Sequence, residues 1–85
     1  MPKKKQPIKV LYSHLGQYKA IGLAWPDDRV IAIDKRIKGL TKIDVSVHEL
    51  LHITLPKLTE EEVTKAASEI AKVLWDMGFR FTDNG

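Results

Sequence analysis

The sequence contains no cysteine, which excludes both disulfide bonds and thiolate ligands for a metal ion. It also has no apolar run long enough to cross a membrane, and its basic residues 1–6 lack the apolar segment of a signal peptide. Histidine is scarce, with only three in the chain. These absences predict a cytoplasmic protein without a membrane partner, in which any zinc site is built from histidine and carboxylate.

The length and composition of the chain suit one small domain with a modest core, since it has 85 residues of which 44% are hydrophobic. We predict a disordered basic tail over residues 1–6 and a single metal-binding domain over residues 7–85. The net charge of +3 includes Lys3, Lys4 and Lys5 in that tail. A lysine-rich terminus is usually solvated, so the charge is a weak reason to expect nucleic acid.

Two of the histidines lie four residues apart, in His48-Glu49-Leu50-Leu51-His52. On a helix, residues four apart differ by about 40° around the axis and about 6 Å along it, so both imidazoles can bind one tetrahedral zinc ion. Glu49 lies about 100° round the helix from His48. There its carboxylate can act as general base toward water at the metal without being a ligand. We expect His14, at the end of a predicted strand, to be exposed.

The motif, together with the Pro56-Lys57-Leu58-Thr59-Glu60-Glu61-Glu62-Val63 run that follows it, resembles the small single-domain zincin metallopeptidases of bacteria and their phages. A looser similarity extends from Trp25-Pro26-Asp27-Asp28 to Leu74-Trp75. The resemblance implies a zincin-like domain, a zinc cofactor and hydrolysis of a peptide or related amide, with a peptide or protein as the substrate. It also implies an edge strand beside the motif helix that binds substrate in extended form, and we assign residues 30–34 to that edge.

Alternation of side chains predicts the first strand, because Ile8, Val10 and Tyr12 would share one better-buried face. Two further apolar segments, residues 18–25 and 30–34, predict a hairpin with Pro26 at the second position of a type I turn. Together with two helices, these strands predict an α+β domain with a small antiparallel sheet of about three strands packed on the helices.

The first helix is predicted over residues 42–54, with Thr41 as N-cap in a variant of the capping box with Asp44 and with Pro56 preventing continuation. The second is predicted over residues 60–77, starting from a capping box of Thr59 and Glu62. Its buried stripe is predicted to be Val63, Ala66, Ala67, Ile70, Ala71 and Leu74.

The third zinc ligand is predicted among glutamates at the start of the second helix, which a short link brings close to His52. Glu60 lies about 60° from the centre of the apolar stripe, Glu62 about 100° and Glu61 about 160°. We therefore assign Glu60, although three acidic residues there also favour the helix dipole. Glu69 has a spacing closer to that of familiar zincins but lies about 13 Å along the helix from Glu60.

Three function classes remain open from the sequence. The first is a zinc peptidase with Glu49 as general base and His48, His52 and Glu60 as ligands. The second is a non-catalytic structural or regulatory module stabilised by zinc, since a short chain leaves little material for a substrate cleft. The third is a helix-turn-helix nucleic-acid-binding module, although the acidic start of the second helix would repel phosphate. Histidine and carboxylate also suit divalent ions other than zinc.

Overall fold

The computed structural model describes residues 6–18 and 20–82. It confirms the predicted α+β class, with three strands and two helices. Residues 1–5 of the predicted tail lie outside the described part, whereas the carbonyl of Gln6 accepts a hydrogen bond from Arg29 Nε at 2.7 Å. The elements follow in the order β1 (Lys9–Ser13), a short 3-10 helix (Gly16–Tyr18), β2 (Gly22–Trp25), β3 (Val30–Asp34), α1 (Gly39–Thr54) and α2 (Glu60–Asp76).

The sheet has the strand order β1-β3-β2 and is mixed rather than wholly antiparallel. β2 and β3 form the predicted antiparallel hairpin, while β1 pairs with β3 in parallel. The central place of β3 follows from its sequence, because Ile31, Ala32 and Ile33 are all buried and a strand covered on both faces is typically a continuous apolar run. Near the end of β3, the amide of Lys35 donates to the carbonyl of Ser13 at 3.0 Å and the amide of Asp34 donates to the carbonyl of Ile21 at 2.9 Å. β1 and β3 run in the same direction.

The hairpin turn is displaced by one residue from the prediction. The amide of Arg29 donates to the carbonyl of Pro26 at 3.2 Å, so Pro26 is the first residue of the turn and not the second. Arg29 has a φ of 53°, in the left-handed region that non-glycine residues seldom adopt. Trp25 and Val30 then pair across the hairpin.

The predicted buried face of β1 was wrong, since all five residues of the strand are exposed. β1 is an edge strand, and α1 packs on β2 and β3 instead. Only Ile8, just before the strand, is half-buried against the core. The alternation of side chains describes the strand correctly but carries no information about which strands the helices cover.

A buried carboxylate secures the connection between β1 and β2. Asp34, 1% exposed at the end of β3, accepts hydrogen bonds from the amide of Leu15 at 3.1 Å and from the amide of Arg36 at 2.9 Å. The Arg36 guanidinium adds a bidentate contact at 3.0 and 2.8 Å. These bonds, chiefly those from Arg36, hold the pKa of the Asp34 carboxyl well below its ordinary value of 3.8.

Substituting Asp34→Asn is expected to lower the free energy of unfolding and to remove part of its acid dependence. Because the pKa of Asp34 is lowered by folding, its charge stabilises the native state above the ordinary pKa of 3.8, and this contribution is lost as the pH falls below it. Urea unfolding between about pH 3 and about pH 7 measures the effect. The exposed Asp76→Asn is the matched control. If the free energy of unfolding changes with pH in the same way in the wild type and in Asp34→Asn, the lowered pKa of Asp34 is contradicted.

α1 begins earlier than predicted, at Gly39, and its N-cap is Lys38 rather than Thr41. Gly39 has a φ of 63°, a conformation that glycine adopts without strain, and this allows the chain to turn into the helix before Thr41 is reached. Lys38 makes no side-chain capping bond. The end of α1 at Thr54 agrees with the prediction, because Pro56 follows two residues later.

α2 confirms the predicted capping box. The amide of Thr59 donates to Glu62 Oε1 at 2.8 Å, and the amide of Glu62 donates to Thr59 Oγ1 at 3.1 Å. The buried stripe is narrower than predicted, since Ile70 is 41% exposed. α2 packs chiefly on α1, so full burial is confined to one row at four-residue spacing, which consists of Val63, Ala67 and Ala71.

The core places α1 between the sheet and α2. Ile31 and Ile33 of β3 pack with Val45 and Ile53 of α1, so the motif helix is held on both sides. Within residues 6–18 and 20–82, neither helix combines the length and apolar character of a membrane span.

Candidate metal centre

The two motif histidines lie on the same side of α1. Their ring centroids are 4.9 Å apart and the rings meet edge to face. Both side chains are only partly exposed, while Ile53 and Val45 of the same helix are buried in the core. The core side of α1 is therefore tightly packed, and this packing restrains the helix that carries the two imidazoles.

Glu60, the first residue of α2, lies between the two imidazoles. Its Oε1 is 2.7 Å from His48 Nε2 and its Oε2 is 3.1 Å from His52 Nε2. The link over residues 55–59 is short and turns tightly, with the amide of Leu58 donating to the carbonyl of Leu55 at 3.1 Å. The turn brings the start of α2 level with the end of α1. The capping box makes Thr59 the N-cap, so Glu60 is the first residue of α2, and this fixes the direction of its side chain around the helix axis.

One ligand-type atom from each of these three residues lies within 4.8 Å of the other two. His48, His52 and Glu60 therefore form a group that could hold a metal ion, and we call it the His-His-Glu group. In the part of the chain that the structure describes, no other set of three such side chains comes together. The group consists of the two histidines whose four-residue spacing predicts a shared metal ion and the glutamate that the helix phase predicts as third ligand.

The other candidate residues lie outside the His-His-Glu group. The carboxylate of Glu62 is engaged in the capping box of α2, and Glu61 is exposed. Glu69 lines an apolar groove further along α2. His14 is exposed beyond the end of β1, as expected.

The donor set fits zinc. Tetrahedral zinc binds nitrogen and oxygen at about 2.0–2.2 Å, which places two ligand atoms about 3.3 Å apart. The two contacts of Glu60 are a few tenths of an ångström shorter than that, at 2.7 and 3.1 Å. Its side chain is 69% exposed. Two histidines and a glutamate are a ligand set found in catalytic zinc sites, where they leave the fourth position open.

Glu49 lies beside the His-His-Glu group without belonging to it. It is 9% exposed, between α1 and β2. Burial raises the pKa of the Glu49 carboxyl, although the neighbouring charges of His48 and His52 oppose this effect. A carboxyl with a raised pKa at a cleft is better matched to proton transfer near neutral pH than one on an open helix surface.

Gly22 allows β2 to approach Glu49, a feature for which the sequence holds no local signal. A Cβ atom at this position would lie 2.6 Å from Val45 Cγ1 and 2.8 Å from Glu49 Oε2. These distances are below any normal contact, so a larger residue would move the strand or the carboxylate. The absence of a side chain at Gly22 therefore helps to define the position of Glu49.

The edge strand beside the motif helix is β2, and the assignment of residues 30–34 to that edge was wrong. β3 pairs with a strand on each side, whereas β2 is bonded to β3 alone among the described strands. A cleft of about 450 Å³ lies between β2 and the helices. Its walls are Gly22, Leu23, Ala24, Pro26, His48, Glu49, His52, Pro56 and Glu60.

The position of Glu60 predicts how its substitution affects zinc binding. Glu60→Gln is expected to weaken zinc affinity by about tenfold or more, because a neutral amide is a poorer ligand than a carboxylate. Glu61→Gln and Glu62→Gln are matched controls, and glutamine at Glu62 can still serve the capping box. Competition with a chromophoric chelator measures all three affinities. Wild-type affinity in Glu60→Gln, with weakening in either control, would reject the assignment.

Comparison with known proteins gives no match, since no family model, no curated protein and no solved structure matches this chain. The resemblance to small zincin metallopeptidases stays a prediction carried by the residues of the motif.

Proposed function

We propose that this protein is a zinc-dependent peptidase, with His48, His52 and Glu60 as metal ligands and Glu49 as general base. The observation that carries the proposal is the convergence of both histidine Nε2 atoms on the carboxylate of Glu60. The buried Glu49 borders the same cleft. A structural zinc site has four protein ligands, whereas three ligands beside an open cleft are typical of a catalytic one.

In the proposed hydrolysis, the metal and Glu49 have different roles. A zinc ion held by His48, His52 and Glu60 would polarise the carbonyl of the scissile amide and would lower the pKa of water at the site toward neutrality. Glu49 accepts one proton from the water whose oxygen forms the new bond to the carbonyl carbon. It then donates that proton to the amide nitrogen as the carbon–nitrogen bond breaks, so that the base is regenerated with each turnover.

The open edge of β2 supports a peptide as the substrate. An extended chain can pair with an exposed strand through main-chain hydrogen bonds, which bind peptides of varied sequence. β2 lies against the cleft that contains the His-His-Glu group. The backbone of a peptide paired with β2 would therefore lie next to the metal site and Glu49.

A non-catalytic zinc module is the competing proposal, because it would use the same three ligands. The two proposals differ at Glu49, whose carboxylate a purely structural site does not need. Burying a carboxylate has a desolvation cost that an exposed helix position would avoid, so its location favours the enzyme. The experiment that separates them is hydrolysis of a mixed peptide library by zinc-loaded wild type and Glu49→Gln.

A nucleic-acid-binding role is disfavoured by the position of the acidic residues. Glu60, Glu61 and Glu62 form the first turn of α2, and their carboxylates would repel phosphate. We therefore do not propose nucleic acid as a partner.

A further inference from the structure

A second cavity of about 310 Å³ adjoins the metal cleft on the side of the N-terminal half of α1. The two cavities share Gly22, His48 and Glu49 as walls, so the second cavity lies directly beside the His-His-Glu group. We call the second cavity the Asp44 pocket. Its remaining walls are Ala20, Ile21, Asp44 and Val45.

The charge of the Asp44 pocket is negative. Asp44 and Glu49 are its acidic residues, and neither lysine nor arginine lines either cavity among the described residues. Glu49 already has a role in the proposed reaction. Asp44 is half-buried, and its carboxylate makes no hydrogen bond or ion pair within residues 6–18 and 20–82. Its charge is therefore available to a ligand.

The apolar walls of the pocket complement this charge. Ala20, Ile21 and Val45 contribute aliphatic side chains to the same pocket as Asp44. Asp44 precedes His48 by one helical turn, about 6 Å along α1. Lysine and arginine have apolar stems of about that reach with a cation at the tip, and they commonly lay such stems along apolar surface.

We propose that the Asp44 pocket binds the side chain of a lysine or arginine of the substrate, adjacent to the scissile bond, with Asp44 as the specificity-determining residue. This inference rests on the proposed peptidase function. The cationic tip forms a charge-assisted hydrogen bond with Asp44, while the stem packs on the apolar walls. An apolar side chain of the same length would leave the half-buried carboxylate without a partner, and an acidic one would be repelled.

Binding tests the pocket independently of catalysis. The probes are alanine hexapeptides in which one position, moved along the chain, is lysine, norleucine or glutamate. Norleucine matches the lysine stem but lacks the charge. Titration of each peptide into zinc-loaded Glu49→Gln protein, followed by NMR, gives the dissociation constants without cleavage. At one position, lysine is expected to bind at least about threefold more tightly than norleucine, and the difference is expected to shrink at high salt.

Variants of Asp44, made in the Glu49→Gln protein, test whether Asp44 causes the preference for lysine. Asp44→Asn is expected to abolish the lysine preference, and Asp44→Lys is expected to replace it with a preference for glutamate. Asp76→Asn, the same change at an exposed site on α2, is expected to retain it. A lysine preference that survives Asp44→Asn, or peptides that bind equally or not at all, would overturn the inference. If lysine is preferred through Asp44 but wild type cleaves no peptide, the peptidase proposal fails and the pocket assignment stands.

Discussion

Glu49→Gln is expected to abolish peptide hydrolysis while leaving the zinc content at the wild-type level. Glutamine preserves the shape of the side chain but cannot accept a proton from water, and general base catalysis contributes about 10²–10⁴-fold to such reactions. Because Glu49 lies outside the His-His-Glu group, its substitution removes no ligand. It also removes a charge at a position that is 9% exposed, so we expect no large loss of stability.

The measurement is cleavage of a mixed peptide library, analysed by mass spectrometry, with zinc-loaded wild type, Glu49→Gln and chelated wild type. Glu61→Gln is the matched control, since it removes an exposed carboxylate from the neighbouring helix turn. Cleavage that survives Glu49→Gln would contradict the role of this residue. No cleavage by any form, with zinc bound, would instead support the non-catalytic zinc module.

His48→Ala and His52→Ala are each expected to lower zinc affinity by more than about 100-fold. Loss of one imidazole leaves two protein ligands, and even residues that only support a ligand contribute about 10–100-fold to metal affinity. His14→Ala is the control, because His14 is exposed and lies outside the His-His-Glu group. Zinc retained by either motif variant through dialysis against a weak chelator would contradict the assignment.

Zinc is expected to stabilise the fold as well. A ligand that binds only the native state at about 1,000 times its dissociation constant adds about 4 kcal/mol to the free energy of unfolding. Thermal unfolding with and without zinc measures this effect. The wild type and His14→Ala should gain stability with zinc, whereas His48→Ala and His52→Ala should not.

Local chemistry was enough to predict several elements of the fold. The capping box of Thr59 and Glu62 involves residues three apart, so its signal lies within one turn of sequence. The position of Glu60 followed from that helix phase and from the short link. Turn residues likewise predicted the hairpin of β2 and β3, although not the residue at which the turn begins.

Features that depend on distant segments could not be predicted in this way. The parallel pairing of β1 with β3 joins residues 21 positions apart, as in Lys9 with Val30, and periodicity within a strand does not choose its partner. The hydrogen bond from the amide of Leu15 to Asp34 likewise joins residues that are 19 positions apart. Gly22 has its role only because β2 approaches α1 closely.

Zinc content of the protein, purified without a metal-chelating column, tests whether His48, His52 and Glu60 form a zinc site. Inductively coupled plasma mass spectrometry on wild type after zinc loading and dialysis should give about one zinc per chain, as three convergent protein ligands predict. The same measurement on His48→Ala and His52→Ala should give almost none. A well-folded wild-type protein that takes up no zinc would show that the His-His-Glu group is not a zinc site.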